Sequence, residues 1–258
     1  MADKNSPIGF FDSGVGGISV LKEAVRIMPY EDFIFFGDSK NAPYGTKPRE
    51  EIRALTFKNV EFLMDMGIKG IVIACNTATS AAVKDLRIMY PDFPIVGIEP
   101  AIKPAVTECP GGNILVMATP MTIKQEKFQL LLDKFKEEAD IVPMACPGLM
   151  EFVERGELDS EELNKYLEQV LFMPDNECYD GIVLGCTHYP FVLDAIKRIV
   201  GDKSKFFDGA YGTSAEIKRR IEAAGLDQAD KDRKGSISFI SSDNRADRID
   251  LMNMLYKR

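Results

Sequence analysis

Along most of this chain, short unbroken apolar runs alternate with amphipathic stretches, and about midway the alternation begins again. IGFFD, DFIFFG, GIVIA and FPIVG come first; GNILVMA, ADIVPMA, GIVLG and SKFF follow. Strands written this way are buried on both faces, as happens in a parallel sheet covered by helices. The stretches between them, such as SVLKEAVRIM, PREEIRALTFKNVEFLMDMG, TATSAAVKDLRIM, TIKQEKFQLLLDKF, DSEELNKYLEQVLF and PFVLDAIKRIV, have helical spacing. In the second of these, Pro48 suits a first helical position, Gly67 a C-terminal cap, and Ile52, Leu55, Phe62 and Met66 one apolar stripe. GTSAEIKRRIEAAG and ADRIDLMNML read as helices near the end, with SISFIS as a short strand between them. The expected class is α/β, with mostly parallel sheets flanked by helices.

The restart carries a repeated phrase. Gly70–Thr79 reads GIVIACNTAT and Gly181–Pro190 reads GIVLGCTHYP. Each is a buried strand, a small residue, a cysteine and then polar residues. The strand Ile8–Asp12 would match Ile114–Ala118, so Cys75 and Cys186 would end equivalent later strands of two pseudo-symmetric domains. Ligands in open α/β sheets bind beyond the carboxyl ends of the strands. The expected active site therefore lies in the cleft between the domains, with one thiol from each.

The rest of the composition narrows the function. A net charge of −8 without a basic stripe argues against nucleic acid or an anionic membrane as partner. No apolar run is long enough for a bilayer, and MADKNSPIGFFDSG lacks the pattern of a signal peptide. The expected location is the cytoplasm. Five cysteines, an odd number without a C-x-x-C pair, and a single histidine argue against a disulfide framework and a zinc site. No metal is expected.

Two opposed thiols suit racemisation. One group removes a proton from one face of a carbon, the other returns a proton to the opposite face, and the roles exchange with direction. Cysteine serves once its surroundings favour the thiolate, and the pair should titrate together, one thiolate with one thiol. Asn76, Thr77 and Thr79 follow Cys75, while Thr187 and His188 follow Cys186. They offer N–H groups and hydroxyls to a carboxylate and to developing charge. His188, two positions after a candidate base, reads as a proton relay or tuning group. Each feature has a plainer alternative: a cysteine ending a strand is often a small core residue. DSGVGG and NAPYG are also ordinary turn sequences, and Glu154 sits in a charged surface-like stretch.

Four motifs, IGFFDSGVGG, FGDSKNAPYG, IACNTATSAA and GCTHYPFVL, resemble the cofactor-independent aspartate/glutamate racemase superfamily in order and spacing. The first and last fit its bacterial glutamate racemase branch best. The resemblance implies two similar α/β domains, residues 1–98 with 210–258 and residues 99–209. It implies no cofactor, glutamate as the small-molecule substrate, a homodimer, and D-glutamate destined for peptidoglycan synthesis. Cys75 would act on D-glutamate with support from Asp12, and Cys186 on L-glutamate with support from His188. ACPGLMEFVERGE resembles the segment that brings a glutamate to the second cysteine, and counting from Cys146 selects Glu154 rather than Glu151. Ser13, Pro43, Tyr44, Gly45, Asn76, Thr77, Thr119, Thr122 and Thr187 resemble substrate-binding positions. Met121, Phe128, Glu151 and the segment FFDGAYGTS depart from the usual pattern.

Other readings use the same residues. The same mechanism fits aspartate or another α-substituted acid. Thiol–disulfide exchange would use the same sulfurs, although an intervening ligand holds them too far apart to bond. A non-catalytic receptor of two α/β domains has no need of either thiol.

Overall fold

A computed structural model describes residues 3–171, 178–228 and 230–258. The chain forms two compact units, Met1–Glu99 with Ala210–Arg258, and Pro100–Gly209.

The first unit holds a five-stranded parallel sheet. Its strands are β1 (Ile8–Asp12), β2 (Phe33–Gly37), β3 (Gly70–Ile73), β4 (Ile95–Gly97) and, late in the chain, β9 (Ile237–Ser241). They lie in the order β4-β3-β1-β2-β9. Every residue of β1, β2 and β3 is buried, which explains their unbroken apolar sequences. Helices α1 (Ile18–Ile27), α2 (Arg49–Asp65), α3 (Asn76–Met89), α10 (Ala210–Ala223) and α11 (Ala246–Lys257) complete the unit.

The second unit holds a four-stranded parallel sheet. Its strands β5 (Asn113–Ala118), β6 (Asp140–Ala145), β7 (Gly181–Leu184) and β8 (Lys205–Phe207) lie in the order β6-β5-β7-β8. Read from the other edge, this is the order of β4-β3-β1-β2. The register matches as well: Phe11 pairs with Ile73 in the first unit, and Met117 with Leu184 in the second. Helices α4 (Ile102–Glu108), α5 (Pro120–Lys124), α6 (Glu126–Phe135), α7 (Leu149–Glu154), α8 (Glu161–Val170) and α9 (Leu193–Val200) pack in this unit.

Several elements differ from the sequence expectation. The buried stripe of α2 runs through Ile52, Thr56, Asn59, Val60 and Leu63, while Phe62 and Met66 are exposed. Two polar residues lie inward with their hydrogen bonds satisfied: Thr56 donates to the Ile52 carbonyl one turn back in its own helix at 2.7 Å, and Asn59 reaches Asp38 at 3.0 Å. Pro48 is the N-cap of α2 rather than its first residue, while Gly67 takes the left-handed conformation (φ 78°) that ends the helix. The stretch expected as one helix from Thr122 breaks at Gln125, whose ψ of 136° is extended, giving α5 and α6. Phe172, the end of another expected helix, lies outside the described residues. Helix α4, with Pro104 in its first turn where proline is tolerated, has too short an apolar pattern to be read from sequence.

One buried ion pair locks the first unit. Lys69 Nζ meets Glu31 Oε2 at 2.5 Å and the Lys4 carbonyl at 2.7 Å, while Glu31 Oε1 accepts the Gln228 N–H at 2.7 Å. Removing one partner strands the other charge in a dry interior. Lys69→Met is expected to lower unfolding stability by about 3 kcal/mol, read from the urea midpoint, with Lys69→Met/Glu31→Leu recovering part of it. An unchanged midpoint in the single variant would contradict this account.

Candidate active site

In the first unit the residues of interest gather where β1 and β3 end. Cys75 follows β3 and is the N-cap of α3; its Sγ accepts the Ala78 N–H at 3.5 Å and the Ser13 hydroxyl at 3.3 Å. Both neighbours donate to sulfur at the positive end of a 14-residue helix, an arrangement that stabilises a thiolate. Asp12 ends β1, is fully buried, and accepts the Gly14 N–H at 2.8 Å. The approach is close: a Cβ on Gly17 would stand 2.8 Å from both the Asp12 and Ala74 Cβ atoms. Asn76 and Thr77 are buried beside Cys75, and no donor among the described residues reaches Asn76 Oδ1. A buried acceptor left open in this way suits a ligand's ammonium. Thr79 does not contribute a free hydroxyl, because it donates to the Ile73 carbonyl at 3.0 Å.

The Pro43–Tyr44–Gly45 turn belongs to the same unit. Tyr44 is buried, its ring lies 6.3 Å from that of Phe11, and its hydroxyl donates to Asp38 at 2.6 Å. Burial first, then the adjacent Asp38 carboxylate, push the phenol far above its ordinary value, so Tyr44 stays neutral.

In the second unit Cys186 follows β7 and lies in a tight turn, with Tyr189 N–H donating to its carbonyl at 3.0 Å. Its Sγ is 3.6 Å from His188 Nδ1, and His188 Nε2 is 2.8 Å from Glu154 Oε1 at the end of α7. A sulfur–imidazole–carboxylate chain therefore forms inside this unit. Burial opposes the imidazolium, but the hydrogen bonds to Cys186 and Glu154 outweigh it and raise the His188 pKa well above its ordinary value. Thr187 is buried. Thr119 caps α5 by accepting the Thr122 N–H at 3.2 Å, and the two hydroxyls lie 3.0 Å apart. Glu151 does not take the place of Glu154; its Oε2 is buried without a hydrogen-bond partner among the described residues. Phe128 packs into the core with Ile102 and Val116.

The shared register makes the two half-sites comparable residue by residue. Ala74 N–H donates to the Phe11 carbonyl at 2.7 Å, as Gly185 N–H does to Met117 at 2.7 Å. Cys75 then corresponds to Cys186, Asn76 to Thr187 and Thr77 to His188. Asp12 corresponds to Ala118. The supports are thus unlike: a helix N-terminus and a hydroxyl for one sulfur, an imidazole backed by a carboxylate for the other. Asp38 and Cys146 correspond too, since each donates its N–H at 2.9 Å, to Asp12 and Ala118 respectively. Burial, then the charge of Cys186, push the Cys146 thiol up to about 12, so it stays a thiol.

Sequence reasoning missed Asp38 and Asn59. Asp38 directly follows β2, beside Asp12 at the end of β1, and that strand-end position was the available signal. Asn59 lies within helix α2, and its spacing gives none. Among the described residues, no group of three or more His, Cys, Asp or Glu side chains is placed to hold a metal ion. No helix among them is long and apolar enough to cross a membrane.

The chain is 50% identical over 256 residues to a glutamate racemase of Clostridium botulinum (strain Hall), covering 99% of each chain. It is 51% identical over 251 residues to a glutamate racemase of Clostridium novyi (strain NT), covering 96% of each. The crystal structure of glutamate racemase from Francisella tularensis in complex with D-glutamate superposes with a TM-score of 0.83 at 27% identity, over 99% of this chain and 95% of that one. The family model for Asp/Glu/Hydantoin racemase matches residues 17–210. With half its residues identical to such enzymes along nearly its whole length, the chain belongs to the Asp/Glu/Hydantoin racemase family.

Proposed function

We propose that this chain is a glutamate racemase that interconverts L- and D-glutamate without a cofactor, using Cys75 and Cys186 as its two bases. The observation that carries the reading is the equivalent placement of two buried cysteines. Each follows a corresponding strand, and each sulfur has its own polar partners. The family and the substrate named for its close relatives support glutamate in particular.

From D-glutamate, the Cys75 thiolate takes the α-proton and becomes a thiol. The carbon–hydrogen electron pair passes into the α-carboxylate as an enediolate. The Cys186 thiol then gives its proton to the opposite face and becomes the thiolate. From L-glutamate each step runs in reverse with the roles exchanged. Ser13 and the Ala78 N–H steady charge on Cys75, assisted by Asp12. His188, held by Glu154, steadies charge on Cys186. The open Asn76 Oδ1, with Thr77, Thr187, Thr119, Thr122 and the Pro43–Gly45 turn, binds the ammonium and carboxylate groups. Two thiols suffice for the proton transfers, so pyridoxal phosphate has no task here. The product is the D-glutamate used in peptidoglycan synthesis, and the enzyme works in the cytoplasm as a homodimer.

In deuterium oxide the enzyme is expected to place deuterium at the α-carbon of glutamate as it inverts it, and to leave aspartate much less changed. Absence of exchange into glutamate would overturn the reading; faster exchange into aspartate would reassign the substrate. Light scattering after size exclusion tests the dimer.

A further inference from the structure

We infer that Asp38 is the positioning residue of the Cys75 half-site: through Tyr44 and Asn59 it holds the Pro43–Gly45 turn in its substrate-ready shape. The inference rests on the assignment of that turn to substrate binding.

Asp38 is buried at the first position past β2. Its hydrogen-bonding side chains are neutral. Tyr44 donates to Oδ2 at 2.6 Å and Asn59 to Oδ2 at 3.0 Å, while Asn41 reaches Oδ1 at 2.9 Å and Oδ2 at 3.1 Å. A buried carboxylate whose hydrogen-bonding side chains among the described residues are all neutral is costly to desolvate. The fold does not demand a charge at this position, because the second unit puts the thiol of Cys146 there. The carboxylate therefore serves the segment that surrounds it.

That segment is tied at both ends. Asp38 N–H donates to the Asp12 carbonyl at 2.9 Å, which fixes the start of the turn to β1. Asn59 Nδ2 also approaches the Tyr44 hydroxyl at 3.2 Å, closing a triangle of Asp38, Tyr44 and Asn59. Asn59 lies on α2, so the triangle fastens the turn to a long helix. The only proton of the phenol is spent on Asp38. Tyr44 accordingly shapes the turn, whose Pro43 and Gly45 the proposed function assigns to substrate binding. Holding a binding group in place before substrate arrives favours affinity more than the chemical step.

The test compares wild type, Asp38→Asn, Tyr44→Phe and the double variant, with kcat and KM for both glutamate enantiomers and melting curves as a check on folding. Asp38→Asn removes an acceptor and sets an amide against the donors of Asn41 and Asn59. Each single variant is expected to raise KM about tenfold and to change kcat by less than about threefold. Because Asp38 acts through Tyr44, the double variant should match Asp38→Asn rather than multiply the two effects. Tyr44→Phe deletes one oxygen and carries the test by itself if Asp38→Asn does not fold. An unchanged KM, multiplying effects, or a fall in kcat at constant KM would overturn the inference. Wild type that racemises glutamate beside unaffected variants refutes this inference alone; wild type without that activity refutes the proposed function as well.

Discussion

Cys75→Ser and Cys186→Ser are each expected to lose at least about a thousandfold in racemisation, in both directions. A serine hydroxyl in place of a thiol is too weak an acid to supply the anion or to give up a proton at neutral pH. Both directions fail together because each turnover needs one base and one acid. Exchange without inversion separates the roles. Cys186, still seated on His188 in the Cys75→Ser variant, should keep exchanging the α-proton of L-glutamate with solvent and return it to the same face. In Cys186→Ser, Cys75 keeps its Ser13 and Ala78 donors and should do the same for D-glutamate. Proton NMR in deuterium oxide, with chiral separation of the recovered glutamate, reads exchange and inversion independently. Full two-way activity in either variant would end the two-thiol mechanism. Exchange of D-glutamate by Cys75→Ser and of L-glutamate by Cys186→Ser would show that the faces are wrongly assigned.

The thiols were legible in the sequence because of how parallel strands are written. A doubly buried strand has no polar alternation, so GIVIA and GIVLG mark their own ends, and the residue after each end is the usual place for chemistry. Asp12, the last residue of IGFFD, takes its role only from the family resemblance. What stayed hidden depends on contacts between distant segments. Asp38 follows DFIFFG just as Asp12 ends IGFFD, yet its meaning rests on Asn59, 21 positions later, and on Tyr44 turning its hydroxyl inward. The buried stripe of α2 also differs from the one that spacing predicts. Phe62 and Met66 look like core by composition, but Asn59 meets Asp38 inside, and the face that carries it is the buried one. Phe62 still covers apolar surface, its ring tilted against that of Phe36 with centroids 5.2 Å apart, while exposed to solvent. Spacing finds apolar faces; it does not find polar groups whose partners lie elsewhere in the chain.

His188→Asn is expected to lower kcat about a thousandfold while leaving KM nearly unchanged, because the imidazole touches the sulfur that moves the proton. Its titration gives a second, independent reading, since the chain has one histidine and its ring protons need no assignment. Burial alone would make the imidazolium unfavourable and lower its pKa. The hydrogen bonds to Cys186 and Glu154 act the other way and prevail, so His188 should titrate well above its ordinary value. Each raising partner can be removed separately. Glu154→Gln and Cys186→Ser should each move the titration down, and the double variant should carry it below the ordinary histidine value, where burial is unopposed. The sign for stability follows: a raised folded-state pKa contributes stability that is fully present below the unfolded value of about 6.5 and fades as pH rises through the folded value. Wild type should therefore lose stability relative to His188→Asn as the solution is made alkaline, through the same range in which its histidine signal moves. A histidine that titrates near its ordinary value in wild type, or one indifferent to both substitutions, would show that no charged imidazole supports Cys186. The asymmetry between the two half-sites would then need another cause.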